Sequence, residues 1–321
     1  MLDRDLLQRL IQGPASGAAL AAACGVSRAA MWKRIEALRE AGIEIQAQAG
    51  RGYQLATPVE LLDQVALRAM LSPAAQAELA SLEVAFEIDS TNSALLRAPA
   101  PEAGCTVLLA ERQSGGRGRR GRSWVSPLAA HLYLSVSRGF GGGLSRLGGL
   151  SLAAGVAVAE ALRALGVSQV GLKWPNDLVV GQRKLGGLLV EGGGEHAGPA
   201  RAVLGLGLNW RMPPDQAAQI DQPWTDLCRA LQPTPSRQQL AASVLEHLLP
   251  ALAQFDREGL APFQARYAAL DSLKDQPVRI LLPQGGFDGL AQGIAADGAL
   301  QVLVGQERRS VHAGEVSVRR A

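Results

Sequence analysis

The chain has 321 residues, 47% of them hydrophobic, with three cysteines and a formal net charge of +3. That length exceeds what one hydrophobic core normally organises, so two or three domains are expected, and the apolar content is ample to pack them. So small a net charge says little about nucleic-acid binding by the whole molecule, and any such role has to be argued locally. Cys24, Cys105 and Cys228 are scattered and odd in number, and the N-terminus lacks the apolar run of a signal peptide. A soluble protein of the reducing cytoplasm is the expectation. The most apolar stretch, 147–158, lies in a segment broken by Glu160 and Arg163, too short for a bilayer span, and reads as a buried helix. No membrane role is indicated. His131, His196, His247 and His312 show no metal-ligand spacing, so no protein-bound zinc is expected.

The first sixty residues predict helices over 2–12 and 18–24, a turn at Gly25-Val26, and a third helix capped by Ser27. In that helix Ala30, Met31, Ile35 and Leu38 form an apolar stripe, while Arg28, Lys33, Arg34 and Arg39 lie outside it. After Gly42 the stretch 43–48 alternates and 50–55 returns, as the hairpin of a winged helix-turn-helix does. A basic third helix in that setting points to DNA, with Ser27, Arg28, Lys33 and Arg34 as the contacts. The plainer alternative is a small packing or oligomerisation domain.

Thr57-Pro58 marks a linker. Strand-like runs over 84–88, 106–110, 132–137, 185–191 and 202–208 then alternate with helical ones, which predicts an α/β sheet domain with a mixed sheet. The last stretch, 276–320, carries period-2 patches and Asp288-Gly289 and Asp297-Gly298 turn signals, suggesting a small β-barrel of about five strands. The expected domains are 1–60, 61–272 and 273–321.

The middle segment holds the chemistry. In "ERQSGGRGRRGRSW" (111–124), five arginines and four glycines precede a tryptophan. By composition alone this is a solvated or nucleic-acid-binding patch; inside an enzyme it can instead be a mobile anion-binding loop. Asp89-Ser90-Thr91-Asn92 is either a helix cap or a ligand contact. Lys173-Trp174-Pro175-Asn176-Asp177 clusters a lysine, an amide and a carboxylate beside a rigid Trp-Pro pair at the end of an apolar strand. "RKLGGLLVE" (183–191) sets Lys184 at the start of a buried-looking strand, where glycines allow close approach. "GLGLN" (205–209) lacks the third glycine of a dinucleotide loop, and no Walker A sequence occurs, which disfavours Rossmann and P-loop enzymes.

"QSGGRGRRGRSWVSP", "KWPNDL", "KLGGLLVE" and "GLGLN", in this order and at these separations, resemble the bacterial bifunctional biotin protein ligase/repressors of the BirA type. The resemblance covers essentially the whole chain and implies a winged helix-turn-helix, a mixed-sheet ligase domain and a C-terminal SH3-like barrel. Ala129 and His131 depart from the glycine and asparagine usual there. The resemblance implies that biotin is activated by ATP, with Mg²⁺, to biotinyl-5′-AMP and passed to a lysine of a biotin carboxyl carrier domain. It also implies a homodimer, formed with biotinyl-5′-AMP, that represses biotin genes at operator DNA.

For the site, it implies Lys184, Arg117 and Arg119 as the catalytic cations. Biotin would be held by Ser90, Thr91, Asn92, Gln113, Arg117, Gly118, Arg119, Trp124, Lys184 and Gly187. ATP would meet Arg119, Arg122, Lys173, Asn176, Asp177, Lys184, Asn209 and Trp224, with Asp177 the candidate Mg²⁺ ligand. Two anions must meet in such an adenylation, so cations and backbone N–H groups have to screen their repulsion. The rival readings are a ligase without repressor activity, a non-catalytic ligand-sensing regulator and a lipoate-type ligase.

Overall fold

The computed structural model describes residues 3–48, 50–194, 200–282, 285–314 and 316–320. His196 and parts of the expected first helix and wing turn (Leu2 and Ala49) lie outside them.

Three helices open the chain: α1 (Arg4–Ile11), α2 (Gly17–Ala23) and α3 (Arg28–Glu40), followed by a hairpin of β1 (Ile45–Gln48) and β2 (Gly52–Leu55). Asp3, Ser16 and Ser27 each turn a side-chain oxygen onto the first turn of the helix they precede. Met31, Ile35 and Leu38 bury one face of α3 against Leu6, Leu7, Leu10 and Leu20. This is the winged helix-turn-helix expected. Two of its basic residues are committed within the domain: Arg34 pairs with Asp3 at 2.5 Å, and Arg39 binds Ile45 O and Glu36. Arg28 and Lys33 stay exposed, with Trp32, 54% exposed, between them.

The central part runs α4 (Gln64–Ala69), α5 (Pro73–Ala77), β3 (Leu79–Ala85), α6 (Thr91–Arg97), β4 (Cys105–Ala110), β5 (His131–Phe140), α7 (Leu150–Ala164), β6 (Val170–Lys173), β7 (Asp177–Val180), β8 (Arg183–Gly194), β9 (Ala200–Asn209), α8 (Pro214–Ala217), α9 (Leu227–Ala230), α10 (Arg237–Glu258) and α11 (Gln264–Ala268). Its sheet has the order β3-β4-β5-β9-β8-β7-β6, antiparallel except for the parallel β3–β4 pair. Period-2 alternation sorts the two faces. Leu204, Leu206 and Leu208 of β9 and Leu132, Leu134 and Val136 of β5 enter the main core with α7 and α10. Gly205, Gly207, Tyr133 and Ser135 therefore face the other way, toward α6.

The strand expected at 84–88 is instead β3 at Leu79–Ala85: a register shift between Leu79 and Ser81 spaces the buried Leu79 and Leu82 three apart and hides the alternation. Beyond β3, Ile88 makes only an isolated bridge to Gln113. Strand β8 is half interior and half edge. Arg183–Gly187 pairs with β7 and Leu188 bonds to Asn176, whereas, among the described residues, those beyond Leu188 pair with β9 alone.

The C-terminal part is β10 (Pro277–Leu282), β11 (Gly285–Ile294), β12 (Leu300–Val304), β13 (Glu307–Val311) and β14 (Ser317–Arg320), an antiparallel sheet in the order β13-β12-β11-β10-β14. Asp297-Gly298 is a turn, as expected. Asp288-Gly289 is not: it lies within β11, with Asp288 opposite Arg279. Gly289 is required there because a Cβ would stand 2.5 Å from Val302 Cγ1 and 2.6 Å from Leu303 O. Val278, Ile280, Ala291, Leu300 and Val302 join the main core, and Trp174 Nε1 donates to Gly298 O at 3.0 Å.

The N-terminal domain is also joined to the sheet domain. Leu128 and Ala129 complete its core, and Leu128 N–H donates to Ala41 O at 2.7 Å. The linker is pinned by a buried ion pair: Arg237 meets Glu111 at 2.7 Å and Glu60 O at 2.8 Å, while Glu111 accepts from Leu62 N–H.

Candidate active site

A cavity of about 410 Å³ opens on the α6 face of the sheet. Every residue assigned above to biotin or ATP lines it, brought there from α6, the Arg/Gly loop, the β6–β7 turn, β8, β9 and the segment before α9.

One end is polar and aromatic. Ser90 is the N-cap of α6, so the helix-cap reading of Asp89-Ser90-Thr91-Asn92 holds and the cap itself borders the cavity. Thr91 N–H donates to Gln113 Oε1 at 2.8 Å, and Ser135 Oγ lies 2.7 Å from Thr91 Oγ1. Trp124 lies flat on β9, where a Cβ on Gly207 would stand 2.5 Å from its ring. The indole N–H is buried and has no partner among the described residues, which suits a ligand that brings an acceptor. Asn92 lines the cavity too, with its side chain engaged in the wall: its amide donates to Glu191 Oε2 (2.8 Å) and Leu189 O (3.3 Å), and its oxygen accepts from Ser135 (2.6 Å).

The other end is cationic. Lys184 Nζ sits 2.7 Å from Asp177 Oδ1 and 5.5 Å from the centre of the Trp124 ring. A Cβ on Gly187 would stand 3.2 Å from Lys184 Nζ, so that glycine makes room for the ammonium. Lys184 is fixed from both sides of its peptide, its N–H donating to Pro223 O and its O accepting from Thr225 N–H, each at 2.9 Å. Asn176 clamps β8 through Leu188 O (2.7 Å) and accepts from Arg119 Nη1 (3.2 Å). Half-buried Lys173 lines the same wall. Asn209 donates to Thr225 O at 2.9 Å, which holds the segment carrying Trp224, and Arg229 covers the Trp224 ring.

The Arg/Gly loop is ordered onto this end. Gly118 N–H donates to Arg122 O (2.7 Å) and Trp124 N–H to Gly116 O (2.9 Å), closing a small loop above the cavity. Arg117 donates to Ser93 Oγ at 2.8 Å and lies 3.5 Å from Glu191. Arg119 reaches Gly314 O at 2.6 Å, a link to the C-terminal sheet, and burial lowers its pKa below the usual arginine value. Arg122 borders the cavity from the exposed rim, whereas Arg112 pairs with Glu87 away from it. Among the described residues no three His, Cys, Asp or Glu side chains come together as a metal site.

Sequence reasoning missed Ser135, Glu191 and Arg319. Ser135 and Glu191 sit at alternating positions of apolar strands, and only the fold shows what they meet. Arg319 arrives from β14 at the rim of the cavity.

Three family models match the chain: Biotin/lipoate A/B protein ligase family over residues 85–209, HTH domain over 3–54, and Biotin protein ligase C terminal domain over 275–319. The bifunctional ligase/repressor BirA of Salmonella typhimurium is 39% identical over 95% of this chain and 93% of its own length. The biotin--[acetyl-CoA-carboxylase] ligase of Mycobacterium tuberculosis is 36% identical over 73% of this chain and 88% of its own. The biotin protein ligase from Aquifex aeolicus, solved with biotin and ATP, superposes with a TM-score of 0.64 at 26% identity, covering 75% of this chain and all of that one. With a relative matched over all three domains at this identity, the chain belongs to the family of bifunctional biotin protein ligase/repressors of the BirA type.

Proposed function

We propose that the chain is a biotin--[biotin carboxyl carrier protein] ligase that also binds DNA as a repressor, and that the cavity is where biotin and ATP react. The observation that carries the reading is one cavity with a hydrogen-bonding, indole-lined end and a cationic end meeting at Lys184. Thr91, Gln113 and the Ser90 cap serve the ureido ring, Trp124 packs on the bicycle, and Gly118 lets the loop backbone come close. The biotin carboxylate is thereby led to Lys184. Its oxygen attacks the α-phosphorus, the bond from that phosphorus to the bridging oxygen breaks, and pyrophosphate leaves. Lys184, Arg117 and Arg119 offset the charge of the two anions. Lys173, Arg122, Asn176, Asn209 and Trp224 hold the nucleotide. In the second step the neutral amine of a carrier-domain lysine attacks the acyl carbon, an amide forms and AMP departs.

Mg²⁺ would enter with ATP, screening phosphate charge. The residues fit such a shared ion: one carboxylate, Asp177, stands at the cationic end, and magnesium keeps waters and phosphate oxygens as its other ligands.

The proposed domains are 1–60, 61–272 and 273–321, the last an SH3-like barrel. Arg28 and Lys33 on α3 would meet operator DNA in the major groove, with Ser27 setting the helix start. The outer half of β8 leaves a row of peptide groups that a second copy can pair with, giving a homodimer when biotinyl-5′-AMP is bound. No described helix is long and apolar enough to cross a membrane, and the proposed setting is the cytoplasm.

The test is pyrophosphate exchange into ATP with biotin or lipoate as the acid. Exchange with biotin alone is expected; exchange with lipoate alone would make the chain a lipoate-type ligase, and none with either a ligand sensor. Sedimentation with and without biotinyl-5′-AMP tests the dimer.

A further inference from the structure

Glu191 ends the "KLGGLLVE" stretch and carries no role in the reading above. Its half-buried carboxylate begins a chain of polar contacts that leads to the biotin end of the cavity. Glu191 Oε2 and Leu189 O both take Asn92 Nδ2, and both are acceptors only. The Asn92 amide is therefore fixed with its NH₂ toward β8 and its oxygen toward Ser135. Ser135 and Asn92 are 2.6 Å apart, Ser135 and Thr91 2.7 Å, and Thr91 Oγ1 and Gln113 Oε1 3.1 Å. Ser135 has one proton and Asn92 Oδ1 has none, so Ser135 donates to Asn92. The next short contact must then be donated by Thr91.

This assignment places protons in the two shortest contacts and leaves the longest, at 3.1 Å, as two facing oxygens without a proton between them. Thr91 Oγ1 thus offers the cavity lone pairs only. Gln113 Oε1 is held by Thr91 N–H, which leaves the Gln113 NH₂ as the donor beside it. The wall so polarised accepts an N–H and donates to a C=O lying next to it, the edge of a cyclic urea. The sheet keeps room for this chain: a Cβ on Gly205 would collide with the Asn92 amide, its Cγ 2.9 Å away.

We propose that Glu191 is a specificity-determining positioning residue, which sets the direction of the Asn92–Ser135–Thr91 hydrogen bonds and so makes the pocket select a ligand with N–H beside C=O. The inference rests on the reading that Thr91 and Gln113 face the ureido ring.

The experiment uses the full-length chain, biotin, and a cyclic-carbamate analogue in which the ureido nitrogen facing Thr91 is replaced by oxygen. Binding of each is measured for wild type, Glu191→Gln and Glu191→Leu, with thermal melting as the fold control and KM for ATP as the site control. Glu191→Gln keeps an acceptor and loses the charge toward Arg117; it is expected to retain wild-type preference for biotin within about threefold. Glu191→Leu leaves the Asn92 amide only its longer contact to Leu189 O and should weaken biotin by about 10- to 100-fold, the range for a mispaired buried polar contact. It should weaken the carbamate less than about threefold and leave KM for ATP unchanged. Equal weakening of both ligands, or an unchanged preference, would overturn the role of Glu191. Thr91→Ala separates the two layers: if it leaves the preference for biotin intact, the ureido assignment fails and this inference falls with it.

Discussion

Lys184 and Asp177 form an ion pair 2.7 Å long with both side chains about four-fifths buried, next to the ring of Trp124. The pair neutralises a lysine that two incoming anions must later share. Lys184→Ala is expected to lower biotin-dependent ATP–pyrophosphate exchange by about 10²- to 10³-fold, the range for removing one preorganised charge-stabilising donor. Leaving Asp177 without its partner in so buried a place should cost stability about 1–3 kcal/mol. Exchange within a few-fold of wild type in a folded variant would remove Lys184 from the reaction.

Arg119 spans the cavity mouth, bonded to Asn176 on one side and Gly314 on the other. Arg119→Gly cuts these two ties and leaves the loop those of Arg117. The expected variant still forms biotinyl-5′-AMP but releases it, so that lysines of bystander proteins become labelled. Mass spectrometry of a mixed protein sample checks this; labelling confined to the carrier domain would show that Arg119 has no part in retention.

The basic residues of α3 divide by their partners. Lys33 is exposed, whereas Arg34 is tied to Asp3 across the domain. Lys33→Ala should weaken operator binding and reduce the slope of log K against log salt by about 1, as one lost phosphate contact does. Arg34→Ala should act on N-terminal domain stability and leave that slope nearly unchanged. Titrations at several salt concentrations, paired with melting curves, read the two effects apart.

His131 is fully buried, and its Nδ1 accepts from Trp210 N–H at 3.1 Å, which puts the ring proton on Nε2. Burial, and then the nearby Arg237 charge, push its pKa down to about 3. The unfolded chain therefore binds this proton more readily, and the contribution, complete above the ordinary histidine pKa near 6.5, is lost as pH falls toward about 3. Between about pH 6 and pH 4 the group should remove about 2.5 kcal/mol of stability, at a slope approaching about 1.4 kcal/mol per pH unit. His131→Asn should flatten that part of a urea-stability profile. An identical acid slope in wild type and variant would place the acid sensitivity elsewhere.

The sequence made the domain order readable because its signals were local. Ser27 before a basic amphipathic helix, and leucines alternating with glycines in 204–208, each carry their own geometry. The failures came where tertiary packing chose the residue. Gly289 looked like half of a turn dipeptide, yet it is glycine because Val302 and Leu303 approach it from the next strand. Gly187 looked like room for a ligand, and part of that room holds Lys184. Arg34 matched Lys33 in type and differs by one distant aspartate. Asn92 borders the cavity as its neighbours in sequence do, but no local signal announced its side-chain partners, about a hundred residues away on β8.

Leu128 is 1% exposed, and the core it completes belongs to the first sixty residues. A side chain of that size contributes about 1.5–3 kcal/mol on burial, against the 5–15 kcal/mol that holds a typical domain together. The helix-turn-helix thus borrows a substantial share of its cohesion from a segment four residues downstream of Trp124. The stabilities of the two parts are thereby coupled: heat that frees α3 must also withdraw Leu128, and with it the backbone that seats the indole.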